Sequence, residues 1–381
     1  MNDWGLLDPV GDAGGLADDD ALLAALVEVE RALVAAMSRD DQDAARVAAV
    51  LSTSGLDRAA LAEGARRDGV AVVELVRQLR DQAEAARAGD GELVHRGATS
   101  QDVLDTGIML LAQRTVARTR AELVAGGDAL ARHAQAERDA PALARTLGQP
   151  AAPISIGATV GAWLDAVTSA LAELDAVAFS AQLGGAVGTG AGIDDVAAAR
   201  SALAAELQLD DPGRSWHTDR APVRRVAAAS AGVVVALARV GTDLVTLSRA
   251  EVGEVVLAGA GASSAMPHKR NPVAAVRLIA AGVEAPALLA TVVAGGVSSD
   301  ARPAGAWHAE LPALRSLLRL ASASAEIAAD AFAGLRFDRD AAAANLALGL
   351  PDADAPAGLD AAGRTVDDAV ARWHHVKEAG A

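Results

Sequence analysis

Five long segments that are typical of helix constrain the fold of this 381-residue chain more than any other feature. None of them shows the polar–apolar alternation of a strand, and each exceeds the length of a typical globular helix. Ala and Val dominate the apolar residues, and there is no Tyr, so the composition favours closely packed helices over a sheet. Antiparallel helices of this length imply an extended bundle, and the sequence therefore predicts an all-α protein. The segments are residues 105–139, 154–180, 222–256, 272–297 and 312–332.

Shorter helical signals flank these segments. Asp18–Asp20 precede a helix predicted over 21–37, and two or three further helices follow before Gly89. The tail after the long segments is short, and a last amphipathic helix is predicted to begin near Gly363. We predict an N-terminal helical domain at 1–104, a central long-helix bundle at 105–334 and a reduced C-terminal helical domain at 335–381.

Charge, cysteine content and the length of the uncharged stretches argue against several classes of partner and site. A formal net charge of −16 argues against nucleic acid. The absence of cysteine excludes a disulfide framework and a thiolate metal site. The uncharged stretch 226–238 is too short to span a bilayer, and prolines interrupt the one at 146–164. Because the N-terminus also lacks the pattern of a secretion signal, we predict a cytoplasmic protein that binds neither membrane nor nucleic acid.

A glycine-rich loop at 259–272 carries the densest group of reactive side chains. It ends where a helix is predicted, with Asn271 suited to the N-cap and Pro272 to the first helical position. The free N–H groups of that helix and two cations would hold an anion next to a serine. The alternative, a flexible Gly/Ser surface loop with incidental basic residues, is disfavoured by the cations and the capped helix. The polar residues are Ser263, Ser264, Lys269, Arg270 and Asn271.

The octet 95–102 also precedes a predicted helix. Thr99 and Asp102 have the spacing of a capping box. The functional interpretation is a second anion site, at which His95, Thr99 and Ser100 bind a substrate carboxylate. When the octet is taken alone, ordinary helix capping is the better interpretation, and the serine loop is what adds weight to the functional one.

The pattern Gly-x-Ser-Ser-x-Met-Pro-x-Lys-x-Asn-Pro at 261–272 resembles the signature loop of the fumarase/aspartase superfamily. That resemblance implies a three-domain all-α architecture and an enzyme that makes or breaks bonds β to a carboxylate without a cofactor or metal. It also implies that Ser263 is the acid and base, that Lys269 stabilises its alkoxide, and that Asn271 binds substrate. The octet 95–102 is similar to the first conserved block of the same family.

The loop 145–153 resembles the Arg-Thr-His-x-Gln block of this superfamily, in which Gln149 would bind substrate. Leu147 stands where the family usually has His. Lyases that expel an amine or hydroxide use that His as acid or base. Its absence favours a reaction whose oxygen or nitrogen partner needs no proton.

Three blocks, at 216–220, 251–254 and 302–310, resemble one branch of the superfamily, the bacterial 3-carboxy-cis,cis-muconate cycloisomerases. The resemblance implies a lactonisation in aromatic catabolism, the β-ketoadipate pathway, and adds His217 and Arg302 to the substrate-binding residues. In this reaction a carboxylate of the substrate, already ionised at neutral pH, attacks its own double bond.

The resemblance further implies a homotetramer whose active sites are shared between subunits and bind a small polycarboxylate. The sequence supports this assembly independently. The blocks near 99, 149 and 263 lie at ends of very long predicted helices, which one chain cannot readily bring together but antiparallel neighbours can.

Two other functions stay open. One is a different lyase, such as an adenylosuccinate-lyase-like or specialised-metabolism enzyme, which Leu147 disfavours. The other is a non-catalytic scaffold, which the short tail and Ala301, where the branch usually has Glu, would support. The glycines at 185–190 are predicted to form a turn between helices rather than a dinucleotide loop, because no strand precedes them. His374 and His375 are predicted to be solvated rather than metal ligands.

Overall fold

The computed structural model describes residues 6–11, 14–38, 41–258, 261, 266, 269–351 and 355–380. Most of these residues are helical, and the few strands form two small two-stranded sheets. The prediction of an all-α protein is confirmed.

The elements follow one another in this order. The N-terminal part holds α1 (Asp19–Met37), α2 (Asp41–Val50), α3 (Arg58–Asp68), α4 (Val72–Ala86) and a 3-10 turn at Asp90–Leu93. The middle part holds α5 (Ser100–Ala136), β1 (Pro141–Thr146), β2 (Gln149–Ser155), α6 (Ile156–Asp175), α7 (Val196–Leu207) and α8 (Ala221–Leu247). The rest holds β3 (Val255–Val256), α9 (Val273–Gly295), α10 (Ala306–Ala333), β4 (Arg336–Phe337), α11 (Arg339–Gly349) and α12 (Ala355–Ala379).

Helices α5 and α10 lie side by side and run parallel in the central bundle. At their starts the indole of Trp307 donates to Asp105 over 2.9 Å. Towards their ends a ring nitrogen of His133 lies 3.0 Å from the carbonyl oxygen of Phe332. Both helices therefore begin at the same end of the bundle.

Helix α9 runs antiparallel to its neighbours α8 and α10. Gly241 near the end of α8 packs against Ala275 near the start of α9, and Gly295 at the end of α9 packs against Glu310 near the start of α10. Helix α8 therefore begins at the same end as α5 and α10, and α9 begins at the opposite end. These helices and α6 share one continuous apolar core.

A second apolar core joins α1–α4 to α7. Leu33, Leu75, Leu79 and Leu203 are buried in it. Helix α7 belongs to the sequence region assigned to the central bundle, yet it packs against α1. The domain boundaries at 1–104, 105–334 and 335–381 stay a prediction.

The prediction of an irregular loop at 145–153 is wrong, because β1 and β2 form an antiparallel hairpin there. Thr146 pairs with Gln149, which leaves Leu147 and Gly148 as a two-residue turn with φ angles of 53° and 78°. Two positive φ angles match the twist of a hairpin turn, although a leucine is strained in that conformation. The prolines that signalled a loop are compatible with the edge of a two-stranded sheet.

Two predicted helix ends also lie too far along the chain. Helix α6 ends at Asp175 rather than at residue 180. Helix α8 ends at Leu247 rather than at residue 256, and the chain then turns through Gly253, whose φ is 65°, into β3.

Helices α8 and α9 are long and apolar enough to cross a membrane by length and composition. Both are elements of the bundle, where half of the most apolar stretch of α8 but only 28% of that of α9 is buried. Helix α9 therefore presents an apolar face that no described residue covers, and the exposed side chains on it include Val276, Val283 and Val293. A cytoplasmic location stays a prediction.

Helix α12 packs along α5 and α6 through Trp373. This side chain is fully buried, and its indole donates to Asp128 over 2.9 Å. Its ring lies directly against Gly127, where a Cβ atom would overlap it. The C-terminal helix thus extends the core of the bundle.

We expect Trp373→Ala to lower the free energy of unfolding by about 3–5 kcal/mol, because the variant loses the buried area and leaves a cavity. His374→Ala, an exposed neighbour on the same helix, should change it by less than about 0.5 kcal/mol. Urea unfolding followed by tryptophan fluorescence and circular dichroism measures both. Equal stability of the two variants would contradict the packing of α12 described above.

Candidate active site

The structure divides the predicted site residues between the two ends of the bundle. The first group lies at the start of α5, and the second lies beyond its end. Because α5 has 37 residues, roughly 55 Å separate its two ends. Ser263 lies outside the described residues. The first group is His95, Thr99, Ser100, His217 and Arg302, and the second is Gln149, Lys269 and Asn271.

Arg302 is held against the N-terminus of α5. Its Nη2 donates to the hydroxyl of Thr99 over 2.7 Å and to the carbonyl of Ala186 over 3.3 Å. Its Nε donates to Gln101 Oε1 over 3.2 Å. Among the described residues, no carboxylate lies within ion-pairing distance of Arg302. An uncompensated guanidinium beside the free N–H groups of a long helix, next to Ser100, is suited to hold an anion.

Asp102 fixes the glycine-rich segment 184–192 beneath this helix end. The carboxylate is fully buried and accepts from four backbone and amide donors, so we assign it as the acceptor of the proton on Nε2 of His217 as well. The prediction that this segment is a turn is confirmed, and the turn is also part of the site. The donors are the N–H groups of Thr99, Gly184 and Gly185, the amide of Gln182 and the ring of His217.

The imidazole of His217 presents its other nitrogen to a buried space. Nε2 lies 2.8 Å from Asp102, and Nδ1 has no hydrogen-bond partner among the described residues although the side chain is only 3% exposed. Gly188 passes close by, with a φ of 79°. Because a buried polar atom is costly when it has no partner, Nδ1 is suited to meet a ligand.

His95 forms a similar pair with a residue that the sequence did not reveal. Its Nδ1 lies 2.7 Å from Oε1 of Glu30 on α1, and the backbone of His95 has a φ of 61°. The side chain of Glu30 is fully buried, and its second oxygen has no described partner. The carboxylate fixes the orientation of the ring, and the His95 side chain stays 15% exposed.

A buried ion cluster joins the N-terminal part of α5 to two neighbouring helices. Arg220, on the residue before α8, donates to Asp105 of α5 over 2.6 and 2.8 Å and to Glu310 of α10 over 3.0 Å. All three side chains are fully buried. The guanidinium also lies 4.9 Å from the ring centre of Trp216. One cation here holds two carboxylates and joins the N-terminal parts of three helices.

The two carboxylates of this cluster differ in how many residues donate hydrogen bonds to them. Asp105 accepts four hydrogen bonds, from Arg220, Gln101 and Trp307. Among the described residues, only Arg220 donates to Glu310. Burial therefore raises the pKa of Glu310, and the hydrogen bonds from Arg220 offset this only in part.

Lys269 and Asn271 of the second group lie on the serine loop at the other end. Gly261 and Asn271 exchange two backbone hydrogen bonds, 2.9 and 3.1 Å long, which join the two ends of the loop. The prediction that Asn271 caps α9 is wrong. The N-cap is Pro272, whose side chain cannot accept a hydrogen bond. Asn271 lies one residue before it, where its backbone forms the bridge to Gly261.

Lys269 is exposed on this loop, and Gln149 lies at the tip of the β-hairpin beside Leu147, whose side chain is fully exposed. Among the described residues, no three His, Asp or Glu side chains converge on a possible metal position. His374 and His375 are exposed on α12.

Comparisons with known proteins show the family to which the chain belongs. A protein-family model described as lyase matches residues 20–284, well over half of the chain. The chain belongs to the fumarase/aspartase superfamily.

Within this superfamily, the chain is 39% identical over 368 residues to the nitrosuccinate lyase of Streptomyces davaonensis, covering 91% of this chain and 77% of that protein. It is 34% identical over 345 residues to the 3-carboxy-cis,cis-muconate cycloisomerase of Bradyrhizobium diazoefficiens, covering 86% and 75%. The crystal structure of the 3-carboxy-cis,cis-muconate lactonizing enzyme from Pseudomonas putida superimposes with a TM-score of 0.88 at 26% identity, covering 98% of this chain and 99% of that one.

The raised pKa of Glu310 predicts how the free energy of unfolding depends on pH. Between the ordinary pKa of a glutamic acid and the raised value, the folded lyase keeps a proton that the unfolded chain has released. Stability from this group is therefore fully present at low pH and is lost as pH rises through the raised pKa. In Glu310→Gln this contribution is absent, so its free energy of unfolding should vary less with pH.

Urea unfolding at several pH values between about 4.5 and about 8 measures this difference. Glu326→Gln, a change of the same kind at a half-exposed side chain, should keep the wild-type dependence. The same pH dependence in wild type and Glu310→Gln would show that Glu310 is not the carboxyl that retains the proton.

Proposed function

We propose that this lyase-superfamily chain is a 3-carboxy-cis,cis-muconate cycloisomerase, which closes a lactone ring within its substrate. The observation that favours this reaction over the release of an amine or hydroxide is Leu147. It occupies the tip of the β-hairpin, at the position where superfamily members that expel an amine or hydroxide usually have a proton-transferring His. A carboxylate nucleophile needs no such His, because it is ionised at neutral pH.

The reaction is an isomerisation in which every atom is retained. A carboxylate oxygen of the substrate forms a C–O bond to one carbon of the double bond, and the electron pair of that bond moves towards the carbon α to another carboxylate. A proton from Ser263 then adds to that α carbon. Lys269 would stabilise the serine alkoxide and the charge of the aci-carboxylate that precedes protonation.

The remaining predicted residues would bind the three carboxylates of the substrate. The anion site at the start of α5 suits one of them, because it combines a guanidinium without a described counter-ion, a hydroxyl-bearing first turn and a positive helix end. The residues assigned to binding in this proposal are His95, Thr99, Ser100 and His217 with Arg302, and Gln149 with Asn271.

A homotetramer would bring the two groups together. The start of α5 and the serine loop lie at opposite ends of the bundle in one chain, so a site that uses both needs another copy. The apolar face of α9, with Val283 exposed to 76%, supports this arrangement because it provides a surface for association. Antiparallel packing of two copies would set the start of α5 in one beside the serine loop of the other.

Val283→Asp should disrupt this assembly. A carboxylate in an apolar interface costs at least about 2 kcal/mol per subunit, so the variant should sediment as a smaller species than wild type. Val73→Asp, which places the same charge on an exposed valine of α4, should sediment like wild type. Analytical ultracentrifugation measures the three proteins. A wild type that is active as a monomer would contradict the shared site.

A second candidate function is elimination from nitrosuccinate, favoured by the 39% identity to a nitrosuccinate lyase over 91% of this chain. In that reaction a base removes a proton from one carbon, and the C–N bond of the next carbon breaks. The nitro group leaves with the bonding electrons as nitrite. Nitrite is a weak base that needs no proton on departure, so Leu147 is compatible with this reaction as well.

Purified protein offered each substrate separately distinguishes the two functions. We expect loss of the diene ultraviolet absorbance with 3-carboxy-cis,cis-muconate, and Ser263→Ala should lower the rate about 10²–10⁴-fold. Ser264→Ala is the matched control and should retain most of the activity.

Release of nitrite from nitrosuccinate without turnover of the muconate would establish the second candidate instead. Near-normal turnover by Ser263→Ala would remove Ser263 from its proposed role. A folded protein that consumes neither substrate would contradict both functions.

A further inference from the structure

We infer that Gln101 is a positioning residue for substrate binding: it orients the guanidinium of Arg302 towards a substrate carboxylate without neutralising it. The inference rests on the proposed function in one respect, that Arg302 binds a carboxylate. Gln101 lies in the first turn of α5 and is fully buried, one turn before Asp105.

The hydrogen bonds of Gln101 fix which way its amide points. Nε2 donates to Asp105 Oδ2 over 3.2 Å and to the carbonyl oxygen of His217 over 2.9 Å. Both acceptors require the NH₂ side of the amide, because neither a carbonyl nor a carboxylate can donate. Oε1 is therefore the atom that faces Arg302, and it accepts from Nε over 3.2 Å.

The partners behind Gln101 are themselves immobilised. Asp105 receives two hydrogen bonds from Arg220 and one from Trp307, all among buried side chains. A continuous series of hydrogen bonds thus runs from the ion cluster through Gln101 to the half-buried Arg302. An arginine side chain has many rotamers when it is free, and this series restricts them before a ligand arrives.

The contacts to Arg302 leave one edge of its guanidinium available. Nε is engaged by Gln101, and Nη2 is engaged by Thr99 and by the carbonyl of Ala186. None of the described residues accepts a hydrogen bond from Nη1. A carboxylate that approaches this edge meets a charged donor whose plane is already set.

The amide chemistry of residue 101 matters because a carboxylate there would have the opposite effect. Glutamate is nearly the same size and would also reach Arg302, but as an ion pair that cancels the positive charge offered to substrate. Its second oxygen would face Asp105 and the carbonyl of His217, which have no proton to donate. Glutamine is the residue that holds Arg302 and keeps its charge free.

The test compares Gln101→Glu and Gln101→Met with a matched control. Gln113→Glu makes the same change twelve residues further along α5, where the amide contacts only the carbonyl of Gln208 among the described residues. For 3-carboxy-cis,cis-muconate, we expect KM to rise about 30-fold or more in Gln101→Glu and about 5–10-fold in Gln101→Met, with kcat within about threefold. Gln113→Glu should match wild type in both constants.

Calorimetric titration with 1,2,3-propanetricarboxylate gives a readout that needs no turnover. Its Kd should rise in the same order, with Arg302→Met at least as weak as Gln101→Glu. Unchanged KM and Kd in both Gln101 variants of an active enzyme would overturn the inference and leave the proposed function standing.

A wild type that binds the tricarboxylate but turns over neither substrate would separate the two claims. Weaker binding in Gln101→Glu would then support the positioning role, although the proposed function had failed. A fall in kcat alone, with KM and Kd unchanged, would show a general structural defect and overturn the inference.

Discussion

One buried guanidinium, that of Arg220, determines the arrangement of the end of the bundle at which the anion site lies. It contacts Asp105 on α5 and Glu310 on α10 from the residue that precedes α8. Buried charges are tolerated only when they are paired. Removing one partner of such a pair typically costs about 3–5 kcal/mol of folding stability, because the remaining charge is buried without compensation. The three helix starts are therefore held in a fixed relation. Arg302 and the glycine-rich segment 184–192 are both held against the start of α5, so their positions depend on this arrangement.

The fold was largely predictable because helical length and composition are local properties of the sequence. The hairpin was missed because Pro150 and Pro153 signal a break in a helix equally well whether a loop or a strand edge follows. The partners of the site histidines were harder to predict. Glu30 is 65 residues from His95, and Asp102 is 115 from His217. The spacing around Asp102 indicates only a helix cap, and no local pattern distinguishes Glu30 from Glu28, the other glutamate of α1.

The proposed site residues are divided between the two ends of the bundle, and the residues that depart from the superfamily pattern bear on which group can react. The cations of the proposed site lie at both ends of the bundle, Arg302 for binding and Lys269 for stabilising charge, and Leu147 lies at the tip of the hairpin, where other superfamily members usually have His. Both candidate reactions share one property, since their oxygen or nitrogen partner is stable as an anion. The residues that differ from the superfamily pattern thus restrict the partner group more than the carbon framework of the substrate.

The parallel start of α5, α8 and α10 has an electrostatic consequence for a chain with a net charge of −16. Each helix dipole places roughly half a positive charge at its N-terminus, and here three of them add at one end. An acidic surface repels polycarboxylates at long range, and the three helix ends together with Arg302 would offset part of that repulsion locally. Capture of substrate would then depend on ionic strength in two opposing ways, since salt screens the repulsive surface and the attractive end alike.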